Sequence, residues 1–333
     1  MEKIFTLLSR TPEESQKGIA LLIVLWVMVI LMVSVFSFSL MTRAETYGTL
    51  AFKEAMEKKF LAEAGVDRGI MEIIYRSVNQ SQTLVLVGKE VWKVDGTAYT
   101  TETVGGGYVV RLIDESGKIS LTGLTDQNGI ILKNILINQG SSPENADIIV
   151  DSILDWQDAD DLRRLNGAEG DYYMSLPNPY KARNADIETP EELILVKGVT
   201  PEILYGTGKV KGIIRYLTIY SKTGMININA APKEVLTAIP GMNVDMVDQI
   251  ISFRASAEIN SLEDIKNIIG ASYSQMAPYI SFGPGSSSGV YTVEATGYKG
   301  PQKRGYSILA TVIFDSPQKY RYVYYKTPVE IIQ

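Results

Sequence analysis

The sequence contains neither cysteine nor histidine. Without cysteine the chain has no disulfide bonds and no thiolate ligand for a metal ion. The absence of both residues also excludes serine–histidine and cysteine–histidine catalysis and histidine-bound zinc. The chemistry that remains would need carboxylates, lysine, tyrosine or a metal ion bound through oxygen.

Positive charge is also scarce for a nucleic-acid-binding protein. The chain has 333 residues and a formal net charge of −6. Binding to a phosphate backbone depends on lysine and arginine, so this charge balance disfavours nucleic acid as a partner. The length predicts two or three domains.

A long apolar run lies near the N-terminus. Residues 19–41 contain no charged residue. As a helix rising about 1.5 Å per residue, they would span roughly 35 Å, enough to cross a hydrocarbon core of about 30 Å. A run of this length disfavours the alternative of a buried soluble helix. Apolar residues then continue at three- and four-residue steps, so we predict one helix from Ile19 to about Ser77, with its second part on a soluble domain.

Segments rich in β-branched and aromatic residues flank a helical middle. The first group predicts a meander with glycine turns over residues 83–87, 90–94, 98–104 and 108–113. The second group predicts strands over residues 291–296, 306–314 and 319–326. In the last strand the alternation of Tyr320, Tyr322 and Tyr324 predicts a half-buried strand at the edge of a sheet.

The middle of the chain has helical periodicity and several helix-start signals. Residues 124–138 and 146–156 carry apolar side chains at helical spacing. Thr189 with Glu192, and Ser261 with Asp264, have the spacing of a capping box. Segments 114–121 and 220–228 resemble each other as a glycine turn followed by a strand, which indicates repeated helix–glycine–helix units.

The N-terminal pattern resembles the type IV pilin and pseudopilin class: a short charged leader, Gly18, then an apolar helix with an amphipathic extension. The resemblance implies that a prepilin peptidase cuts after Gly18 and that Ile19 becomes the N-methylated first residue. Most members have glutamate at the fifth mature position, which is Ile23 here. That departure is typical of the minor pseudopilin K family of type II secretion.

Three internal motifs also resemble that family. They are the run Asp155-Trp156-Gln157-Asp158-Ala159-Asp160-Asp161, the triplet Asn178-Pro179-Tyr180, and the segment 192–198 with its Leu-Val-Lys-Gly ending. The family has calcium sites in its helical domain, and clustered carboxylates beside glycine suit this hard cation. Candidate ligands are Asp158, Asp160, Asp161, Glu169 and Asp171, and a solvated acidic loop without a metal is the alternative.

Two other readings of these motifs have less support. Asp158 and Asp160 could form the acid and base of a glycoside hydrolase, but two carboxylates close in sequence are common by chance. The run Pro240-Gly241-Met242-Asn243 lacks the second glycine of DNA-binding helix–hairpin–helix units, and Asp245 in the next helix would repel phosphate. A structural or protein-contact role is therefore favoured.

The predicted fold is α+β: a long N-terminal transmembrane helix packed on an antiparallel pilin-like sheet, with an inserted all-α domain of helix-hairpin-helix or SAM-like units. The predicted divisions are a leader (1–18), a transmembrane part of the helix (19–41), a first pilin-like part (42–122), the helical insertion (123–280) and a second pilin-like part (281–333).

The resemblance implies a non-catalytic subunit at the tip of the type II secretion pseudopilus, which primes its assembly and supports protein export across the outer membrane. The implied partners are minor pseudopilins I, J and H, the prepilin peptidase and the inner-membrane assembly platform. The chain would cross the inner membrane once, with its C-terminal body in the periplasm. Alternatives are a minor pilin of a type IV pilus or a membrane-anchored helix–hairpin–helix DNA receptor.

Overall fold

The structure, a computed structural model, describes residues 12–79, 91–283, 285–300, 305–316 and 319–329, with side chains of the first helix from residue 19 to residue 77. The chain divides into two compact units, Met1–Glu57 and Lys58–Gln333. The predicted strand at 83–87 lies outside the described residues, and residues 91–93 precede the first strand as irregular chain.

The first unit is the N-terminal part of helix α1, which spans Pro12–Asn79. Within the described residues, this helix is the one long and apolar enough to cross a membrane. Its side chains from residue 19 to residue 55 are all exposed. The hydroxyls of Ser34 and Thr42 donate to carbonyls four residues earlier, so these polar groups are satisfied inside the helix. An exposed apolar helix of this length is compatible with a membrane span.

The second unit combines a sheet with short helices. Its strands are β1 (Asp95–Thr103), β2 (Gly106–Asp114), β3 (Ile119–Ser120), β4 (Leu217–Thr218), β5 (Ile226–Asn227), β6 (Ile280–Ser281), β7 (Val290–Tyr298), β8 (Gly305–Ser316) and β9 (Lys319–Lys326). Its helices after α1 are α2 (Gly129–Asn138), α3 (Pro143–Gln157), α4 (Gly170–Met174), α5 (Pro201–Tyr205), α6 (Lys233–Ala238), α7 (Val244–Ser256), α8 (Leu262–Ile269) and α9 (Tyr273–Met276).

The main sheet is antiparallel, with the strand order β1-β2-β7-β8-β9. β2 pairs along its length with β7, so that Asp114 lies opposite Tyr291 although helices α2 to α9 come between them in the chain. The predicted class, a long apolar helix with an antiparallel sheet and additional helices, is confirmed.

The C-terminal part of α1 packs very closely on this sheet. Ala62, Val66, Ile70 and Ile73 are buried against apolar side chains of β2, β7 and β8. Glycines make the close approach possible, because a Cβ on Gly297 of β7 would collide with the backbone of α1 at the Lys58 carbonyl oxygen and the Ala62 amide nitrogen. On the helix side, a Cβ on Gly69 would lie 2.8 Å from Cγ1 of Val293 and 2.9 Å from Cδ2 of Leu112.

The helices form a second apolar core around α2, α3, α6 and α7. Ser142 is the N-cap residue of helix α3: its hydroxyl accepts a hydrogen bond from the amide of Asn145 at 3.2 Å, and Pro143 takes the first helical position. Two short parallel pairs, β3 with β4 and β5 with β6, connect the segments of this core.

One predicted capping box is confirmed and the other is wrong. Asp264 accepts hydrogen bonds from the amide of Ser261 at 2.8 Å, and the box at the start of α8 is complete. The Thr189 side chain makes no capping bond. Glu192, its expected partner, instead accepts hydrogen bonds from the indole N–H of Trp156 at 2.9 Å and from Arg183 at 3.1 Å.

The tyrosines of β9 do not follow simple alternation. Tyr322 pairs with Val312 and Tyr324 with Thr311, so Val323 is an extra residue in the strand. The face that carries Tyr322 therefore continues at Tyr325, and Tyr324 lies on the opposite face.

We predict that Gly297→Ala lowers the free energy of unfolding by about 1–3 kcal/mol, because the added methyl group must push α1 away from β7. Urea unfolding of the full chain in detergent, followed by tryptophan fluorescence, measures this change. Gly208→Ala is the matched control, since a Cβ there meets nothing within 4 Å; its change should stay within about 0.5 kcal/mol. Equal unfolding midpoints for the two variants would contradict the packing described above.

Candidate metal centre

Three carboxylates meet where α3 ends and α4 begins. Asp155 is in the last turn of α3, Asp158 caps the C-terminus of that helix, and Glu169 is the N-cap residue of α4. One oxygen from each of these three side chains lies within 4.8 Å of the others. The loop between the two helices brings them together because it turns back on itself.

Several oxygens of this cluster have no partner. Glu169 is buried, and neither of its carboxylate oxygens accepts a hydrogen bond; the same is true of Oδ1 of Asp158. Burial raises the pKa of Glu169 to about 7, and the negative charges of Asp155, Asp158, Asp161 and Asp160 add to the shift. Buried acceptors are normally satisfied in native proteins, so these oxygens require an explanation.

Arg164, in the loop, neutralises part of the negative charge of the cluster. Its guanidinium donates to Asp155 at 2.8 Å, to Asp158 at 2.6 Å and to Asp126 at 3.2 Å. Burial nevertheless raises the pKa of Asp155, although the hydrogen bonds from Arg164 oppose the shift. Among the described residues Arg164 makes no hydrogen bond or ion pair with Glu169, so the Glu169 carboxylate has no positive partner.

The loop backbone is fixed close to the carboxylates. A Cβ on Gly167 would collide with the carboxylate of Asp155, so a glycine is required for this approach. The Lys197 ammonium group donates to the carbonyl oxygens of Asn166 at 3.1 Å and Gly167 at 2.9 Å, which holds the segment in place. The cluster is therefore supported on two sides.

The structure brings together two of the predicted ligands, Asp158 and Glu169, and adds Asp155. Asp160 accepts a hydrogen bond from the amide of Leu162 at 2.8 Å within its own turn. Asp161 is exposed, and Asp171 accepts from the amide of Tyr172 at 2.7 Å in the first turn of α4.

Asp155 was absent from the predicted ligands. The available signal was its position between Leu154 and Trp156, where a charged residue interrupts the apolar end of a helix. Such a charge is rarely buried without a partner. Three clustered carboxylates, with unpartnered oxygens on Glu169 and Asp158, have the chemistry for binding a hard divalent cation, although their spacing is not that of an EF-hand.

The predicted processing site lies in the first helix. Gly18 and Ile19 are consecutive residues of α1, and the Ile19 side chain is exposed. Residues 1–11 of the predicted leader lie outside the described part of the chain.

Two family models match the helical part of the second unit. Both are described as type II secretion system protein K, and they match residues 117–206 and 226–282. The first segment includes Asp155, Asp158 and Glu169, and the second includes α6 to α9.

Individual proteins and one solved structure agree with these matches. Type II secretion system protein K of Pectobacterium carotovorum subsp. carotovorum is 34% identical over 73 residues, which is 22% of this chain and 22% of that protein. A protein of Escherichia coli (strain K12) with the same protein K designation is 34% identical over 100 residues, which is 30% of this chain and 29% of that protein. The matched regions thus span less than a third of these relatives.

The solved structure is one chain in the crystal structure of the GspK-GspI-GspJ complex of the enterotoxigenic Escherichia coli type 2 secretion system. Its TM-score is 0.54 at 14% identity, and the alignment covers 86% of this chain and all of the other. This likeness shows a shared fold. The two segment matches show that the helical part of the chain, residues 117–206 and 226–282, belongs to the type II secretion system protein K family.

Proposed function

We propose that this chain is a minor pseudopilin at the tip of a type II secretion pseudopilus, where it primes assembly and supports protein export across the outer membrane. The observation that carries the proposal is the match of residues 117–206 and 226–282 to type II secretion system protein K. The exposed apolar helix and the shared fold agree with a membrane-held subunit. The role is one of assembly, and no catalytic role is proposed.

The helix gives this subunit its proposed location. A single span through residues 19–41 would anchor the chain in the inner membrane, with the body in the periplasm. A prepilin peptidase would remove residues 1–18 and leave a methylated Ile19 at the start of the mature chain. Packing of this helix with neighbours in lipid would depend on van der Waals fit, since lipid gives no hydrophobic driving force.

The proposed partners are the minor pseudopilins I and J, then H, and the inner-membrane assembly platform. Support for I and J comes from the solved relative, which is a complex of GspK, GspI and GspJ. The tip position agrees with Ile23, because an acidic side chain in lipid is costly unless a neighbour's ammonium group pairs with it. A subunit with nothing above it would have no such partner.

A minor pilin of a type IV pilus and a DNA receptor are less well supported. Both family models name type II secretion, which disfavours the pilus alternative. The start of α7 disfavours DNA, since the side chain of its N-cap residue Asn243 already accepts from the amide of Met246 at 2.9 Å and Asp245 lies in its first turn.

We also propose that the cluster of Asp155, Asp158 and Glu169 holds calcium. The proposal rests on two observations. Oxygens of Glu169 and Asp158 are buried without a hydrogen-bond partner, and one oxygen from each of the three side chains lies within 4.8 Å of the other two. Calcium accepts six to eight oxygen ligands, so carbonyl groups or water would complete its coordination. The ion would supply the positive charge that Glu169 lacks, and would fix the end of α3 to the start of α4.

We predict that deletion of protein K from a bacterium with a type II secretion system abolishes export. Expression of this chain, together with the minor pseudopilins from the same system as this chain, should restore it. A chain in which Gly18 is replaced by a bulky residue should not restore export, because the leader would remain. Exported protein in the culture medium is the measurement. Full export without any protein K would contradict the proposed role.

We predict that mass spectrometry of the membrane-extracted protein finds a mature chain that begins at Ile19 with one added methyl group. The expected mass is that of residues 19–333 plus the methyl group. An intact leader, or a first residue beyond residue 41, would contradict the proposed processing and anchoring.

We predict that calcium stabilises the chain, by about 2.7 kcal/mol at a hundredfold excess over the dissociation constant. Glu169→Gln should abolish this gain because it removes a charged ligand while keeping the side-chain shape. Asp171→Asn, which changes an exposed carboxylate outside the cluster, should retain it. Thermal unfolding after chelator treatment, with and without added calcium, measures the effect; a loss in both variants or in neither would contradict the ligand set.

A further inference from the structure

We propose that the tyrosine face of β9 and the adjoining flank of α1 form a groove that receives an α-helix of a neighbouring minor pseudopilin. The helix would carry apolar side chains over the tyrosines and a basic residue opposite the acidic flank of α1. This inference rests on the proposed function and names the contact surface, which the function alone does not give.

The first support is an exposed aromatic row on the face of the sheet that α1 covers. Tyr320, Tyr322 and Tyr325 pair with Phe314, Val312 and Ala310 of β8, and so share their face. Val312 and Ala310 are fully buried in the core beneath α1. The three tyrosines are 38%, 45% and 46% exposed, so the apolar face continues past the core into solvent.

Regular ring contacts show that the row is ordered. Centroid distances are 5.7 Å from Phe314 to Tyr320, 5.9 Å from Tyr320 to Tyr322 and 5.8 Å from Tyr322 to Tyr325. The bulge at Val323 is what aligns Tyr325 with the others, because regular alternation would have placed Tyr324 there. An ordered aromatic row is a suitable surface for a partner, since tyrosine contributes strongly to interface energies.

The second support is the position of the uncovered part of the sheet. Five strands at about 4.8 Å spacing are about 19 Å wide from β1 to β9, and one helix with its side chains covers about 10–12 Å. On the β1 side the chain covers its own sheet, since Trp92 stacks on Tyr99 with ring centroids 4.6 Å apart and leaves Tyr99 buried. On the β9 side the described residues leave the tyrosines exposed. The uncovered part of this face therefore lies on the β9 side.

The third support is the chemistry of the stripe of α1 that carries Asp67. Phe60 lies seven residues before Asp67, and Met71 lies four residues after it. The three side chains therefore lie on one stripe of α1. Phe60 and Met71 are 58% and 66% exposed. Burial, and then the nearby hydroxyl of Tyr320 and the charge of Asp67, raise the pKa of Tyr322 to about 12, which agrees with Asp67 facing the row. An apolar stripe with a carboxylate favours an amphipathic helix bearing a basic residue.

Addition of a partner strand to the edge of β9 is less favoured. The bulge at Val323 twists this edge, and Lys319, Arg321 and Lys326 place charges along it. Bulges and charges are features that protect edge strands from pairing. The exposed face is therefore the accessible surface of β9, and the edge is not.

A crosslinking experiment can test the groove, because the chain has no cysteine. The full-length Tyr322→Cys variant in detergent is labelled with a maleimide–benzophenone and irradiated with purified minor pseudopilins I and J of its own system. We expect a covalent product on the N-terminal helix of I or J, in at least tenfold higher yield than from Tyr324→Cys, whose residue is on the opposite face of the same strand.

Each outcome of the crosslinking is informative. A complex that forms without a product at position 322, equal yields at 322 and 324, a product on a strand or loop of the partner, or a product of the chain with itself would overturn the groove and leave the proposed function intact. If the unsubstituted chain forms no complex with I and J in size-exclusion chromatography, the proposed partners and the groove both fail.

Charge reversal tests the polar part of the inference. Asp67→Lys should weaken binding to the same partner at least tenfold and should reduce the dependence of binding on salt concentration. Asp186→Lys, which reverses an exposed carboxylate of the helical segment, should change neither. An unchanged affinity and salt dependence in Asp67→Lys would overturn the assignment of a basic residue to the docked helix.

Discussion

The close contact between the backbones of α1 and β7 fixes where the C-terminal part of α1 lies on the sheet. Gly297 allows the helix backbone at Lys58 and Ala62 to approach the strand more closely than any side chain would permit. The small side chain of Ala62 and the absence of one at Gly69 then bring the helix onto β2 and β7. Since β8 pairs with β7 on one side and with β9 on the other, this contact determines which part of the sheet α1 covers and which part it leaves open.

The two parts of helix α1 have different surroundings. Along residues 19–55 the side chains are exposed and largely apolar. From Ala62 onward, small residues alternate with branched apolar ones on the face toward the sheet, and charged residues such as Glu63 and Asp67 lie at its margin. The change in composition along one continuous helix marks the change from an exposed apolar surface to a protein core.

Much of the fold could be predicted from the sequence, because periodicity and turn residues are local signals. The apolar helix, the hairpin of β1 and β2 and the three C-terminal strands follow from such signals, and the capping box at Ser261 does too. The box at Thr189 failed because Glu192 is drawn into a tertiary contact with Trp156 and Arg183, which no local pattern contains. The bulge at Val323 was missed for the same reason, since the register of β9 is set by its neighbour β8.

The carboxylate cluster of Asp155, Asp158 and Glu169 shows a similar limit. The sequence indicated an acidic loop with Asp158 and Glu169, but it could not rank Asp155 above Asp171. Ranking them requires burial, and burial depends on how α3 packs against α2 and on the path of the loop back to α4. The uncompensated charge of Glu169 is likewise a property of the folded chain, since Arg164 neutralises its neighbours and not Glu169 itself.

The pairing of β2 with β7 has a consequence for biogenesis. The ribosome completes the first hairpin long before it makes its neighbouring strand, because every helix from α2 to α9 is translated in between. Until β7 emerges, only β1 and β2 of the five strands are available to pack against α1, and the edge of β2 that pairs with β7 is unpaired. Prematurely terminated chains would thus expose the apolar side of α1 and would be open to proteolysis. Complete chains would be protected from it.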